Sequence, residues 1–112
     1  MRRVNAAATS ALEELAALKA LADPTRLRLL ELLAAGERCV CDLHTPLGLA
    51  QNLTSHHLRV LREAGLVRAR KSSRWSYYTL ERERLAQVLS ALGALLEIPE
   101  AGEVASSACC EP

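Results

Sequence analysis

A mainly α chain carrying one β-hairpin is the fold class this sequence predicts, on three observations. Leucine and alanine, both strong helix formers, dominate the hydrophobic half of a composition in which Phe is absent and Trp75 is the only tryptophan. Leucines recur at helical spacing in segments punctuated by Asp23-Pro24, Gly36, Gly48, Gly65 and Pro99. After Gly65 the period drops to two, and a run rich in β formers follows: Trp75, Tyr77, Tyr78 and Thr79. At 112 residues the default is one domain, with a core modest enough that such domains are often completed by a second subunit.

The elements follow in order. Thr9 to Ala22 reads as a helix with Leu12, Leu15, Ala16 and Leu18 on one broad apolar face. Asp23 can cap the next helix and Pro24 suits its first turn. That helix runs to Ala35, with Leu27, Leu30 and Leu33 inward, and Gly36 stops it. A short helix over about Val40 to Leu47 is broken by Gly48. Gln51 to Ala64 follows, with Leu53, His57, Leu58 and Leu61 towards the core and Gly65 at its end. Two helices joined by a tight Gly-containing turn form a helix-turn-helix, whose second member would be the recognition helix. Leu66 to Lys71 and Trp75 to Leu80 form the hairpin, with the polar connection Lys71-Ser72-Ser73-Arg74 at its tip. A hairpin could merely seal the core; the cations at its tip argue for a wing. The predicted fold is therefore a winged helix-turn-helix in the order α-α-α-α-β-β-α.

Glu81 to Ile98 reads as the last helix, with Leu85, Val88, Leu89, Leu92, Leu95 and Leu96 close to a heptad stripe. That stripe could pack within the monomer. A small helical core leaves little room for it, so the first and last helices are expected to bury it in a homodimer. Residues 1–98 make the DNA-binding and dimerisation domain in this reading, and 99–112 a flexible tail that carries Cys109-Cys110.

The net charge of +1 announces no partner, but its distribution does. From Thr54 to Tyr78 lie Arg59, Arg62, Arg68, Arg70, Lys71 and Arg74, with Glu63 the only acid, whereas the stretch after Leu96 carries acids and no base. A local basic stripe is the footprint of a phosphate-binding face, although an ordinary solvated surface can also be basic. No run approaches the roughly 18 apolar residues of a membrane span. Met1-Arg2-Arg3-Val4-Asn5 leads into no apolar signal region, so a cytoplasmic protein without membrane partners is expected. There the four cysteines would stay reduced, which favours metal binding or redox chemistry over structural disulfides.

Three stretches carry a family resemblance. Residues 18–33 (LKALADPTRLRLLELL), 39–43 (CVCDL) and 55–67 (SHHLRVLREAGLV) strongly resemble the ArsR/SmtB metalloregulatory repressors, and the second resembles the arsenic-responsive branch. The likeness covers roughly residues 10–97. It implies a homodimer on operator double-stranded DNA whose affinity falls when an inducer binds. It also implies DNA contacts from Gln51, Asn52, Thr54, Ser55 and His56 at the major groove. Gln and Asn can pair bidentately with adenine, and Ser and His can reach bases or phosphates. Arg59 would face the backbone, and Lys71 and Arg74 on the wing would reach phosphates or the minor groove. His57 is expected to pack inward. One departure is Ala50, where the family usually places Ser or Thr; a missing N-cap costs about 1 kcal/mol of helix stability.

The family's inducer site on the last helix uses Asp and His, and residues 81–98 contain neither; sites on N-terminal cysteines are excluded because Cys39 is the first. The candidate ligands are Cys39, Cys41, Cys109 and Cys110, with His44 nearby. The start of the short helix favours thiolates there. In an ideal helix residues two apart face nearly opposite sides, at about 100° per residue, so Cys39 and Cys41 would grip one atom only if the first turn unwound or tilted. That would be a switch, because it would disturb the helix-turn-helix. The arsenic-responsive pattern has a third thiol where this chain has His44, which suits zinc better than arsenic(III), or is simply solvated. Ten residues separate Ile98 from Cys109, a reach of about 30 Å, so the tail could supply the missing thiol or form a second site.

The resemblance of residues 39–43 to the arsenic-responsive branch implies trivalent arsenic as the inducer. The rival readings are a cadmium-, lead- or zinc-responsive repressor, for which four thiolates would close a tetrahedral site, and a thiol-redox regulator. An enzyme is not expected: there is no Cys-x-x-Cys after a strand, no phosphate loop and no Ser/His/Asp constellation.

Overall fold

The computed structural model describes residues 10–101. The chain opens on a 3-10 turn, Leu12–Glu14, that runs into α1 (Leu15–Leu21). Then come α2 (Pro24–Ala34), β1 (Arg38–Cys39), α3 (Val40–Leu47), α4 (Gln51–Glu63), β2 (Val67–Ser72), β3 (Trp75–Leu80) and α5 (Arg82–Gly93), which tightens to 3-10 over Ala94–Glu97.

The predicted punctuation is visible as hydrogen bonds. The Arg26 N–H donates to Asp23 Oδ2 at 3.0 Å, with Pro24 in the first turn of α2. Gly48 (φ 67) and Gly65 (φ 81) end α3 and α4 in the left-handed region. At each, the N–H of the following leucine reaches back five residues, Leu49 to His44 O and Leu66 to Leu61 O. This satisfies carbonyls that the helix end would otherwise orphan. A signal the sequence reading passed over opens the described chain. Ser10 Oγ accepts from the Glu13 N–H, and Glu13 Oε1 accepts from the Ser10 N–H, a reciprocal capping box.

The sheet has three strands in the order β1-β3-β2, all antiparallel. The β2–β3 hairpin is the expected one, closed by a two-residue turn between Ser72 and Trp75 in which Ser73 takes φ 60. The added strand is β1, which pairs Arg38 with Tyr78 and Cys39 with Tyr77.

The core gathers Leu29, Leu30 and Leu33 from α2, Leu43 from α3, Leu58 and Leu61 from α4, Leu66, Val67 and Leu80 around the hairpin, and Val88 from α5. Four residues of the expected apolar faces are not core. Leu27 and Leu53 are 48% and 44% exposed, because the stripes that pack are Leu29/Leu30/Leu33 and Thr54/Leu58/Leu61. The N-terminal helical segment turns its small residues Ala17 and Ala20 inward, so Leu12 and Leu15 face out. Glu14 is buried beside them and forms a bidentate ion pair with Arg84 of α5 (2.7 and 3.0 Å). The stripe of the last helix is split likewise. Val88 and Ala91 are buried, while Leu89, Leu92, Leu95, Leu96 and Ile98 are exposed.

Candidate functional site

α3 and α4 are joined by the turn at Gly48-Leu49-Ala50, which sets the start of α4 at the surface. Gln51, Asn52, Ser55, His56 and Arg59 line one open groove there. Their spacing places them on a single helix face, with Ser55 half-buried and the other four exposed. His56 Nδ1 lies 3.5 Å from Arg59 Nη2.

Thr54 does not belong to this set. It is fully buried, and its hydroxyl donates to Ala50 O at 3.2 Å. The face that carries it is the one that carries Leu58 and Leu61, so its role is in the packing of α4 rather than in reaching bases. Ala50 accepts the first helical bonds with φ −65 and ψ 149, and no side chain caps this end. His57 points inward, half-buried, with Nδ1 3.1 Å from Arg26 Nη1.

At the wing, Lys71 is exposed near the end of β2, and Arg74 sits in the turn with its guanidinium 5.4 Å from the Trp75 ring centre. The basic stripe is less uniform than its sequence suggests. Arg70 is bound bidentately by Glu37 (2.8 and 2.9 Å) and stacks on Tyr77, and Arg68 pairs with Glu81 at 3.3 Å. The hydrogen bond from Arg70 holds the Glu37 carboxyl below the usual carboxylate range. Both acids lie outside the window that reads as basic in sequence, and only the folded chain brings them in. No ion pair engages Arg59, Lys71 or Arg74 among the described residues, so these cations stay available to a polyanion.

The thiol pair lies at the foot of the same helix-turn-helix. Cys39 ends β1 and is the N-cap of α3 in extended conformation (φ −84, ψ 162); Cys41 lies in the first turn. The Cys39 and Cys41 sulfurs and an Asp42 carboxylate oxygen all lie within 4.8 Å of one another. Cys39 Sγ donates to Asp42 Oδ2 at 3.4 Å. Two expectations are corrected here. No unwinding is needed for the sulfurs to converge, because Cys39 stands before the helix and the 100° rule does not govern its direction. The helix start does not prevail at the Cys41 thiol: its hydrogen bond with Cys39 pushes it up, burial and the neighbouring Cys39 and Asp42 charges add to that, and a backbone hydrogen bond offsets only part of it. Asp42, which sequence reasoning missed, is exposed, whereas Cys39 is buried and Cys41 half-buried, so the cluster is approached from the Asp42 and Cys41 side. His44 stands apart from it, with Nδ1 3.2 Å from Leu49 O. Cys109 and Cys110 lie outside the described residues.

Comparison with known proteins bears on the family and the fold. The model of the bacterial regulatory protein arsR family matches residues 23–69, which run from the cap of α2 into β2. An uncharacterized HTH-type transcriptional regulator of Methanocaldococcus jannaschii is 41% identical over 78 residues, 69% of this chain and 88% of that protein. The arsenical resistance operon repressor of Escherichia coli K12 is 51% identical over 63 residues, 55% of this chain and 54% of that protein, so the match spans about half of it. Among solved structures, the homodimeric winged helix-turn-helix DNA-binding domain of a possible ArsR-family regulator from Mycobacterium bovis superposes with a TM-score of 0.63 at 33% identity, over 77% of this chain and 81% of that one. No helix among the described residues is long and apolar enough to cross a membrane. The chain belongs to the ArsR family of bacterial regulatory proteins, and is a winged helix-turn-helix DNA-binding transcriptional regulator rather than an enzyme.

Proposed function

We propose that this chain is a cytoplasmic repressor that binds operator DNA as a homodimer and releases it when trivalent arsenic is bound by Cys39 and Cys41. The observation that carries the reading is the convergence of two sulfurs within 4.8 Å at the start of α3, the helix on which the recognition helix packs. Arsenite exchanges hydroxide for thiolate, and each displaced hydroxide leaves as water with the thiol proton. Tightening this cluster would act on the first turn of α3 and on the β1–β3 ladder, and thus on both α4 and the wing. Gln51, Asn52, Ser55 and His56 read the major groove; Arg59, Lys71 and Arg74 hold phosphates. Leu12, Leu15, Leu89, Leu92, Leu95, Leu96 and Ile98 form the surface that a second copy covers. The 1–98 domain does this work, and Cys109 or Cys110 of the 99–112 segment would complete a three-thiolate arsenic site or bind separately.

Asp42 favours a second reading. A carboxylate oxygen beside two sulfurs is a poor third donor for arsenic(III) and an ordinary one for zinc, and cadmium or lead would be tested beside it.

The test is fluorescence-polarisation binding to an operator duplex selected by the protein, titrated with arsenite, methylarsenite, cadmium, lead and zinc under reducing conditions. Release by arsenicals in the wild type but not in Cys39→Ser or Cys41→Ser supports the first reading, and Cys109→Ser/Cys110→Ser reports on the third thiol. Release by divalent ions alone, lost in Asp42→Asn, supports the second. Release by peroxide in metal-free buffer, with no response to any metal, would replace both with redox sensing.

A further inference from the structure

The half-buried side of α4 carries a group that neither the DNA groove nor the thiol cluster uses. His57 Nδ1 lies 3.1 Å from Arg26 Nη1. A guanidinium only donates and stays protonated, so Nδ1 must be the acceptor and the ring proton must sit on Nε2. Arg26 is itself fixed. Its Nε donates to Ala20 O at 2.6 Å and its Nη2 to Lys19 O at 3.4 Å, both carbonyls at the end of α1, while its own N–H is held by Asp23. One guanidinium thus ties the end of α1, the start of α2 and the middle of α4 together.

We propose that His57 is a positioning residue for DNA reading: as the neutral Nε2–H tautomer it sets the roll of α4 on α1 and α2, so full operator affinity requires His57 unprotonated. Ser55 and Arg59 lie two residues to either side of it and His56 is adjacent, so a small rotation of α4 about this bond displaces the whole reading face. Protonation would remove the acceptor and place a second cation 3.1 Å from Arg26. The charged and titratable groups that bear on the ring are Asp23 and Arg26 from the start of α2 and His56 from α4 itself. From α1 come the backbone carbonyls that Arg26 holds. Burial lowers the His57 pKa below its ordinary value; Asp23 opposes that, and Arg26 and His56 add to it. The neutral ring is therefore the form the fold stabilises. The anchor is complete above pH 6.5 and is lost as the pH falls below that value through the lowered folded pKa.

The experiment compares wild type with His57→Asn, whose side-chain oxygen can accept from Arg26 and does not titrate. Operator affinity is measured from about pH 8 to pH 5.5 at constant ionic strength, with circular dichroism at each pH. His56 is present in both proteins, so the ratio of the two affinities isolates His57. The expected ratio is near one at the alkaline end, with wild type progressively weaker as the pH falls and severalfold weaker at the acid end. A ratio that stays flat across the range would overturn the proposal. A second readout needs no variant: side-chain nitrogen NMR of the wild type at neutral pH should show His57 as the Nε2–H tautomer, and an Nδ1–H ring or an imidazolium there would sink the idea even if His57→Asn failed to fold.

Discussion

Helices α4 and α5 have nearly the same length, 13 and 12 residues, and each buries one apolar stripe, yet their outward faces are opposites. α4 turns Gln51, Asn52, His56, Arg59 and Arg62 to the outside. α5 and its 3-10 extension turn out Leu89, Leu92, Leu95 and Leu96, and Ile98 follows. A polar face is at ease in water and waits only for a polyanion. An apolar face of this size forgoes roughly 25 cal/mol for every square ångström left wet, and a contiguous exposed patch of this kind marks an interaction surface. In the function proposed above, the same amphipathic logic would yield a reading helix when the outer face is polar and an assembly helix when it is not. Leu12 and Leu15 of the N-terminal segment are exposed too, and the proposed assembly surface would include them.

The strongest way to break that comparison is to make the outer face of α5 resemble that of α4. A Leu89→Lys/Leu92→Lys variant should sediment as a monomer at concentrations where wild type is a dimer. Its helix content should be unchanged, and its operator affinity should fall about 10²–10⁴-fold, because two half-sites no longer bind as one unit. A variant that sediments like wild type would mean that these leucines are covered by something other than a second copy.

The next effect lies where the two regions are fastened together. Arg84 of α5 holds the buried Glu14 bidentately and donates through Nε to Ala64 O, just past the end of α4. Breaking a buried pair leaves a charge uncompensated. Arg84 is 31% exposed, so the cost of Glu14→Gln should lie towards the lower side, about 2–3 kcal/mol in urea unfolding at fixed protomer concentration. Glu14→Gln/Arg84→Met should recover part of it. A single-variant loss below about 0.5 kcal/mol would class the pair with surface ion pairs instead.

Within the polar region, the free and the engaged cations should behave differently. Arg59→Ala should lower the slope of log affinity against log salt by about one and weaken binding to all sequences alike. Arg70→Ala should leave the slope near that of wild type, because Glu37 already neutralises Arg70. Equal slopes for the two variants would show that the Glu37 pair opens on DNA.

The parts of this molecule that were legible in the sequence are those fixed by local chemistry. Asp23-Pro24, Gly48 and Gly65 each impose a backbone conformation within a few residues, and the change of period after Gly65 announces the hairpin. The parts that were not legible depend on partners far along the chain. β1 is only two residues long and exists because Tyr77 and Tyr78 offer it a ladder. Its extended backbone is what swings Cys39 towards Cys41, so the thiol geometry was beyond any helical-wheel argument. Glu37 and Glu81 silence Arg70 and Arg68 from outside the basic window. The family resemblance puts Thr54 among the base contacts because it lies at the start of the recognition helix, but as the first member of the Thr54/Leu58/Leu61 stripe it is core. Asp42 lies in plain view in the first turn of α3, and Cys-x-Cys-Asp places three candidate ligands in four positions.

The smallest effect concerns how each of the two helices begins. Ala50 and Glu81 are the N-caps of α4 and α5, and neither offers a side-chain hydrogen bond to its helix. At Ala50 the backbone is already extended (φ −65, ψ 149), the conformation in which a serine hydroxyl can accept from the Leu53 N–H. Ala50→Ser should therefore raise the urea midpoint by an amount equivalent to about 0.5–1 kcal/mol, with operator preference unchanged, since the residue adds no base contact. Glu81→Ser should gain less, because it exchanges the contact with Arg68 at 3.3 Å for the cap. If Ala50→Ser brings no gain, water already satisfies the first turn of the reading helix as well as a hydroxyl would, and the uncapped start of α4 carries no stability cost that evolution left in place.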